Sequence, residues 1–367
     1  MKFDRRHFMA TGLVAGAASL VPRTACADAA FAPTPGGWRT FDVTTRLDIL
    51  SPKGASQAWI PLASFDAPAW FQSKGADWRT NGEATVFKDG RYAAGLLRIE
   101  WRSPREQPYV EVVSRVATRD RAVDLGKPGK AAPLTAAERK RFLAATDLVP
   151  TDGIVKATAD KIVAGARSDL DKTRAIYEWV VDNSYRRATT RGCGSGDVAG
   201  MLKSGDLGGK CADLNALFVG LARAAGVPAR DVYGLRIAPS RFGYKSLGAN
   251  SETITKAQHC RAEVYLNGYG WVPMDPADVR KVMLEEPPGN LQTSDPKVVA
   301  ARKTLFGAWE TNWLAYNCAH DVALPGSKVG KVGFLMYPEA ETGGARLDPL
   351  DPDNFRYTIK TKETTSA

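Results

Sequence analysis

One cysteine constrains this chain more than any other residue. Cys211 follows Gly205, Gly208 and Gly209 and precedes a run in which Leu214, Leu217, Phe218, Leu221 and Ala225 recur at three- and four-residue spacing. That spacing is the buried face of a helix, which Gly226 and Pro228 then stop. The thiol is thereby placed at a helix N-terminus. There the positive end of the macrodipole and the unpaired N–H groups favour thiolate over thiol. Lys210 adds a neighbouring positive charge. Gly208 and Gly209 allow close approach of backbone and substrate, since no Cβ stands in the way. A buried structural cysteine opening a core helix has the same local signature, so the stretch gives a candidate nucleophile and no more.

The first 27 residues read as a leader. Asp4-Arg5-Arg6-His7-Phe8-Met9 is a twin-arginine pattern, the run from Ala10 to Val21 is weakly apolar, and Ala25-Cys26-Ala27 is an A-x-A cleavage site. The apolar run is too short for a stable membrane span. Arg23 argues against Cys26 as a lipid anchor. The expectation is export of an already folded protein across a bacterial inner membrane, to the periplasm or beyond.

Cleavage removes Lys2, Arg5, Arg6 and Arg23 with Asp4, and lowers the net charge from +10 to +7. That is mild for so long a chain and gives nucleic-acid binding little support. Four cysteines remain, Cys193, Cys211, Cys260 and Cys318, with no CxxC pair, and the three histidines lack zinc-site spacing. No metal or organic cofactor is expected. An oxidising compartment permits a disulfide among Cys193, Cys260 and Cys318, but the pairing is not legible.

Along the chain, Phe41, Val43, Thr45, Leu47 and Ile49 alternate with polar residues, as do Leu97-Ile99-Trp101 and Val110-Val112-Ser114-Val116. Residues 36–125 are therefore expected to form a β-sandwich-like domain. A Gly/Pro/Lys-rich linker follows, then helical patterns: the capping box Thr135-Ala-Ala-Glu138, a helix after Thr151, and a third capped by Ser168-Asp-Leu-Asp171. The chain is expected to be α+β, with a catalytic domain over 135–280. Residues 281–367 are expected to be a C-terminal extension packing on that domain. In it, residues 312–321 are aromatic enough to line a cleft, His320 beside Asp321 is a second base candidate more in keeping with packing, and Met336-Tyr-Pro338 and Phe355–Ile359 look like closing strands.

Residues 258–276 read as two strands about a turn. A three-residue loop, Leu266-Asn267-Gly268, pairs Tyr265 with Tyr269. It then pairs Glu263 with Trp271, Arg261 with Pro273, and His259 with Asp275, on one face and with Cβ atoms roughly 5 Å apart. A two-residue Asn-Gly turn would slip the register by one and send Asp275 to the other face. Cys260 points away from His259 in either case, as a packing residue or disulfide partner. Cys211, His259 and Asp275 then supply a nucleophile, a base and an orienting carboxylate, the set that cysteine nucleophilic catalysis requires.

These residues resemble the transglutaminase-like superfamily of papain-like cysteine enzymes. The resemblance rests on Gly-Lys-Cys211-Ala-Asp, Ala224-Ala-Gly-Val-Pro-Ala-Arg230, His259 opening a strand and Trp271-Val-Pro-Met-Asp275-Pro, with the upstream helix through Ile176-Tyr-Glu-Trp179. It covers roughly residues 150–280. It implies a helix-borne Cys211 nucleophile, His259 as general base and acid on a sheet, and Asp275 as orienting carboxylate. The oxyanion would be held by the cysteine's own N–H and an upstream side chain, for which Tyr185 is the candidate, with Gly209 beside it. Calcium, used by some animal relatives, finds no matching loop here. The implied activity is on amide bonds of envelope proteins or peptides through a thioester, with hydrolysis favoured and glutamine transamidation the alternative. A non-catalytic envelope binding module would need none of the three residues.

Overall fold

The computed structural model describes residues 30–364, so the twin-arginine leader and Cys26 lie outside the described residues. The alternation in the first strand translates directly into burial. Along Arg39–Asp48, residues Phe41, Val43, Thr45 and Leu47 face inward and their neighbours face out. This strand pairs antiparallel with Tyr109–Thr118, which in turn pairs with Phe71–Thr80. A second antiparallel sheet joins Glu83–Lys88, Gly95–Trp101 and Ser56–Pro61. Leu47, Ile60, Ile99 and Val112 pack in the core these sheets share.

The C-terminus completes both sheets, which corrects the expectation that residues 281–367 simply cover the catalytic domain. Arg356–Thr364 is the edge strand beside Arg39–Asp48, paired from Thr40↔Thr364 to Asp48↔Arg356. Glu339–Thr342 pairs with Ser56–Pro61, and Ala345–Arg346 closes that edge. Phe355 and Ala340 are in the sandwich core. Residues 336–338 are not a strand; they join Val332–Phe334 to Glu339–Thr342.

The second half is built around the Cys211–Ala224 helix. It packs on the strands Gln258–Leu266 and Ala229–Arg236 and is covered by the helices Gly153–Ile162, Asp169–Asn183 and Pro276–Glu285. All its residues are buried, so the predicted apolar stripe is only part of its contact surface. The small Ala212, Ala216 and Gly220 on its other faces let neighbouring helices close in. Leu214, Leu217, Phe218 and Leu221 are fully enclosed, each contributing on the order of 1.5–3 kcal/mol. The expected caps form: Thr135 and Glu138 make a reciprocal capping box, and Ser168 accepts from the Asp171 N–H. Gly226 takes the left-handed conformation after the Cys211 helix, at φ 84°.

The sheet beneath that helix runs Gly270–Met274, Gln258–Leu266, Ala229–Arg236, Trp313–Asn317, all antiparallel. Its last strand comes from beyond residue 280. Residues 312–321 therefore supply core strand, with Trp313 and Tyr316 buried in it, and do not line the cleft. The hairpin register also differs from expectation. Leu266 pairs with Gly270 and Glu263 with Pro273, so the three-residue loop is Asn267-Gly268-Tyr269. Gly268 and Gly270 hold φ values of 82° and 77°, and this two-glycine loop accommodates the shift. Because the slip is by two residues, every side chain keeps its face. The second strand ends at Met274, so Asp275 is not a strand partner of His259. It is the N-cap of Pro276–Glu285.

Candidate active site

Cys211 opens its helix and is 4% exposed. The helix start is held by Asp213, whose carboxylate accepts the N–H groups of Lys210 (3.0 Å), Ser195 (2.9 Å) and Gly196 (2.9 Å). The Ala212 N–H donates to the Cys193 carbonyl at 2.9 Å. A loop eighteen residues upstream in sequence is thus stapled to the first turn. Asp213 also explains the glycines. A Cβ at Gly194, where φ is +94°, would lie 1.8 Å from Asp213 Oδ2, and one at Gly209 would lie 2.5 Å from Asp213 Cβ. Gly209 is buried against that carboxylate and is not in the wall of the cavity above Cys211.

His259 sits at the second position of the Gln258–Leu266 strand, 3% exposed. Its Nε2 is 2.8 Å from Asp275 Oδ2 and 3.3 Å from Asp278 Oδ2, so Nδ1 is the ring nitrogen that serves the thiol. Asp275 Oδ1 accepts the Asp278 N–H at 3.1 Å, the capping bond, and the Asn215 amide at 3.1 Å. Asn215 lies one helical turn beyond Cys211, and its amide also donates to the Cys260 carbonyl at 2.8 Å. One side chain therefore ties the helix that carries the thiol to the strand and cap that carry the base and the acid. Asp278 in turn takes two bonds of 2.6 Å from Arg236.

These contacts set the charges. Burial and the charge of Arg236 oppose protonation of His259, but the Asp278 and Asp275 carboxylates prevail and raise it to about 9. Although burial opposes its ionisation, Asp278 is held well below the carboxylate range by Arg236 and His259. Burial and the neighbouring Asp278 charge push Asp275 up. The Cys211 thiol is driven well below its ordinary value by hydrogen bonds from Cys193 and Cys260 and by the bond and charge of His259. The arrangement favours a thiolate facing an imidazolium.

The sulfur atoms of Cys193, Cys211 and Cys260 all lie within 4.8 Å of one another. Cys260 points away from His259, as alternation requires, but toward Cys211, so it belongs to the site after all. Cys193, Cys211, Cys260 and Cys318 are free thiols in this structure. The cluster comes from a loop, a helix start and a strand, a grouping of donors that linear spacing does not show. Asn215, Asp278, Arg236, Cys193 and Tyr337 are further site residues to which the sequence alone assigns no role in the site. Asn215 had a readable signal, since it is on the Cys211 face at i+4. The Tyr337 hydroxyl accepts the Cys193 N–H at 3.0 Å and lines the cavity.

Tyr185 does not line that cavity. It is 43% exposed, in a two-residue strand beside Gly208-Gly209, and its hydroxyl donates to Asp206 at 2.9 Å while accepting from Arg187 at 2.6 Å. Its position after the upstream helix is as expected, but the parallel pairing with Gly208 turns its ring to the outer surface. His320 is buried beside Asp231, Nε2 to Oδ2 3.2 Å, and packs on Tyr233. Its partner is not Asp321, and it has no access to the cavity.

Residues 156–276 match the model of the transglutaminase-like superfamily. An uncharacterised protein of Haemophilus influenzae is 37% identical over 342 residues, 88% of this chain and 91% of that protein. The chain belongs to the transglutaminase-like superfamily. Among solved structures, one from Cytophaga hutchinsonii given provisionally as a cysteine protease superposes with a TM-score of 0.58 at 13% identity. It covers 91% of this chain and 93% of its own. That likeness extends the shared fold across the sandwich as well as the transglutaminase-like core. The periplasmic domain of TgpA from Pseudomonas aeruginosa is more distant, with a TM-score of 0.34 at 16% identity over 66% of this chain and 88% of that one. No helix among the described residues is long and apolar enough to cross a membrane.

Proposed function

We propose that this transglutaminase-like protein is an exported cysteine amidase or peptidase. The observation that carries the reading is Cys211 at a buried helix start, its thiol lowered, sharing one cavity with a His259 that Asp275 and Asp278 keep protonated. The Cys211 sulfur attacks the amide carbonyl. The developing oxyanion meets the Cys211 N–H, which lies in the first turn and has no intrahelical acceptor. His259 gives its proton to the leaving amine as the C–N bond breaks, leaving a thioester. Water then attacks the thioester while His259 takes its proton, and the acid leaves as the thiolate is restored.

Hydrolysis is favoured over glutamine transamidation by the cavity's charge. A lysine acceptor would bring an ammonium group into a space lined by Lys210, Lys256 and Arg356, which have no carboxylate partner among the described residues, whereas water meets no such repulsion. The twin-arginine pattern supports an envelope location and hence an envelope protein or peptide as substrate. The test is mass spectrometry of a peptide library incubated with the mature protein and a tagged primary amine, with Cys211→Ala in parallel. Cleaved peptides absent from the variant are expected. Tagged glutamines would make it a transglutaminase, and no Cys211-dependent product would favour a binding module.

A further inference from the structure

The cavity over Cys211 has a volume of about 490 Å³ and is lined by seven Lys or Arg side chains, with no Asp or Glu among the described residues of its wall. Four of the seven are paired with carboxylates, three carboxylates among them. Arg236 is paired with Asp278, Arg186 and Lys281 with Glu285, and Arg191 with Asp348. Lys210, Lys256 and Arg356 have no carboxylate within 4.0 Å among the described residues. These three stand in two parts of the lining. Lys210 immediately precedes the nucleophile. Lys256 and Arg356, both exposed, come from a second part of the lining, where residues 253–257 lie along the Arg356–Thr364 strand: Ile254 N–H donates to the Ile359 carbonyl at 2.8 Å, and the Ile359 N–H to Thr255 Oγ1 at 2.9 Å.

Unpaired cations lining one concave space focus a positive potential there and raise the local concentration of anions. None of the three holds a partner in place, and like charges around a cavity repel one another. We infer that the substrate is an acidic peptide carrying free carboxylates on either side of the scissile amide, one group toward Lys210 and the other toward Lys256 and Arg356. Tyr357 and Leu350, half-buried in the cavity's wall, offer apolar surface to the intervening chain. The inference rests on the amide-cleaving reading for what happens to the bound peptide, but not for anion recognition itself.

Two measurements separate the two. The first is the alkylation rate of Cys211 by iodoacetate relative to neutral iodoacetamide, followed by peptide mapping at low ionic strength and referenced to a free thiol. The ratio is expected to exceed the reference by at least about fivefold, and to fall toward it in high salt. It should fall likewise when Lys256→Glu and Arg356→Glu are combined. A ratio at or below the reference overturns the inference, whether or not peptides are cleaved. The second compares cleavage of peptide pairs that differ only in Glu/Asp against Gln/Asn beside the scissile bond. A kcat/KM at least about fivefold higher for the acidic members supports the inference, and equal rates or a preference for neutral members overturn it while leaving the amidase reading intact. If no peptide is cleaved, the amidase reading fails and the alkylation ratio alone decides.

Discussion

At the residue scale, the site works through proton ownership. His259 gains two carboxylates on folding, and its proton is held up to a pH of about 9, while the Cys211 thiol ionises well below its usual value. The active ion pair should therefore persist across neutral pH. The rate is expected to fall as pH rises through about 9, where His259 loses the proton it must donate, and kcat/KM against pH checks this. Asp275→Asn keeps the cap but removes a charge, so the alkaline limb should move down toward the ordinary histidine value near 6.5. A limb that stays near 9 would mean another group is titrating. The same proton affects stability. The folded-state value lies above the unfolded one, so the stabilisation is complete below about pH 6.5 and is lost as pH rises through about 9. Cys193 makes a separate prediction. Its hydrogen bond is the foremost cause of the low Cys211 value, so Cys193→Ala should shift the pH midpoint of Cys211 alkylation upward, toward the free-thiol value near 8.5.

At the scale of elements, Asp213 and Asn215 convert a helix into a mount for chemistry. Asp213 gathers three N–H groups from two segments, and Asn215 spans helix, strand and cap. Asn215→Ala would take away the amide donor shared by the Cys260 carbonyl and Asp275 Oδ1, leaving Oδ1 only the Asp278 N–H, at a cost of about 1–3 kcal/mol. The orientation of Asp275 would suffer as well, so urea unfolding and turnover should both register it. Gly194→Ala should be worse, since it combines a left-handed φ with a Cβ placed 1.8 Å from Asp213 Oδ2. We expect it to lower alkylation of Cys211 more than its loss of melting temperature alone would account for, because the loop presents Cys193 to the nucleophile.

At the scale of the whole molecule, the chain's last segment returns to its first domain and walls the cavity on the way. Deleting residues 354–367 removes the Arg356–Thr364 strand together with Phe355 and Ile359, both about 1% exposed. Those two side chains alone represent on the order of 3–6 kcal/mol, a large part of a typical domain's margin. A sharp fall in denaturation midpoint is expected, with aggregation from the bared Arg39–Asp48 edge. What the sequence by itself determined was local. The Cys211 helix start and its stop at Gly226, the caps at Thr135 and Ser168 and the alternation of the sandwich strands all depend on residues a few positions apart, whose periods of 3.6 and 2 fix which side is buried. The tertiary structure alone decided the rest. Linear spacing could not bring Cys193 and Cys260 to Cys211, bind Arg236 to Asp278, send Tyr185 outward through its pairing with Gly208, or carry residues 339–364 back to both edges of the sandwich. Those outcomes depend on loop closure and strand pairing between distant segments, and such contacts leave no period in the chain that makes them.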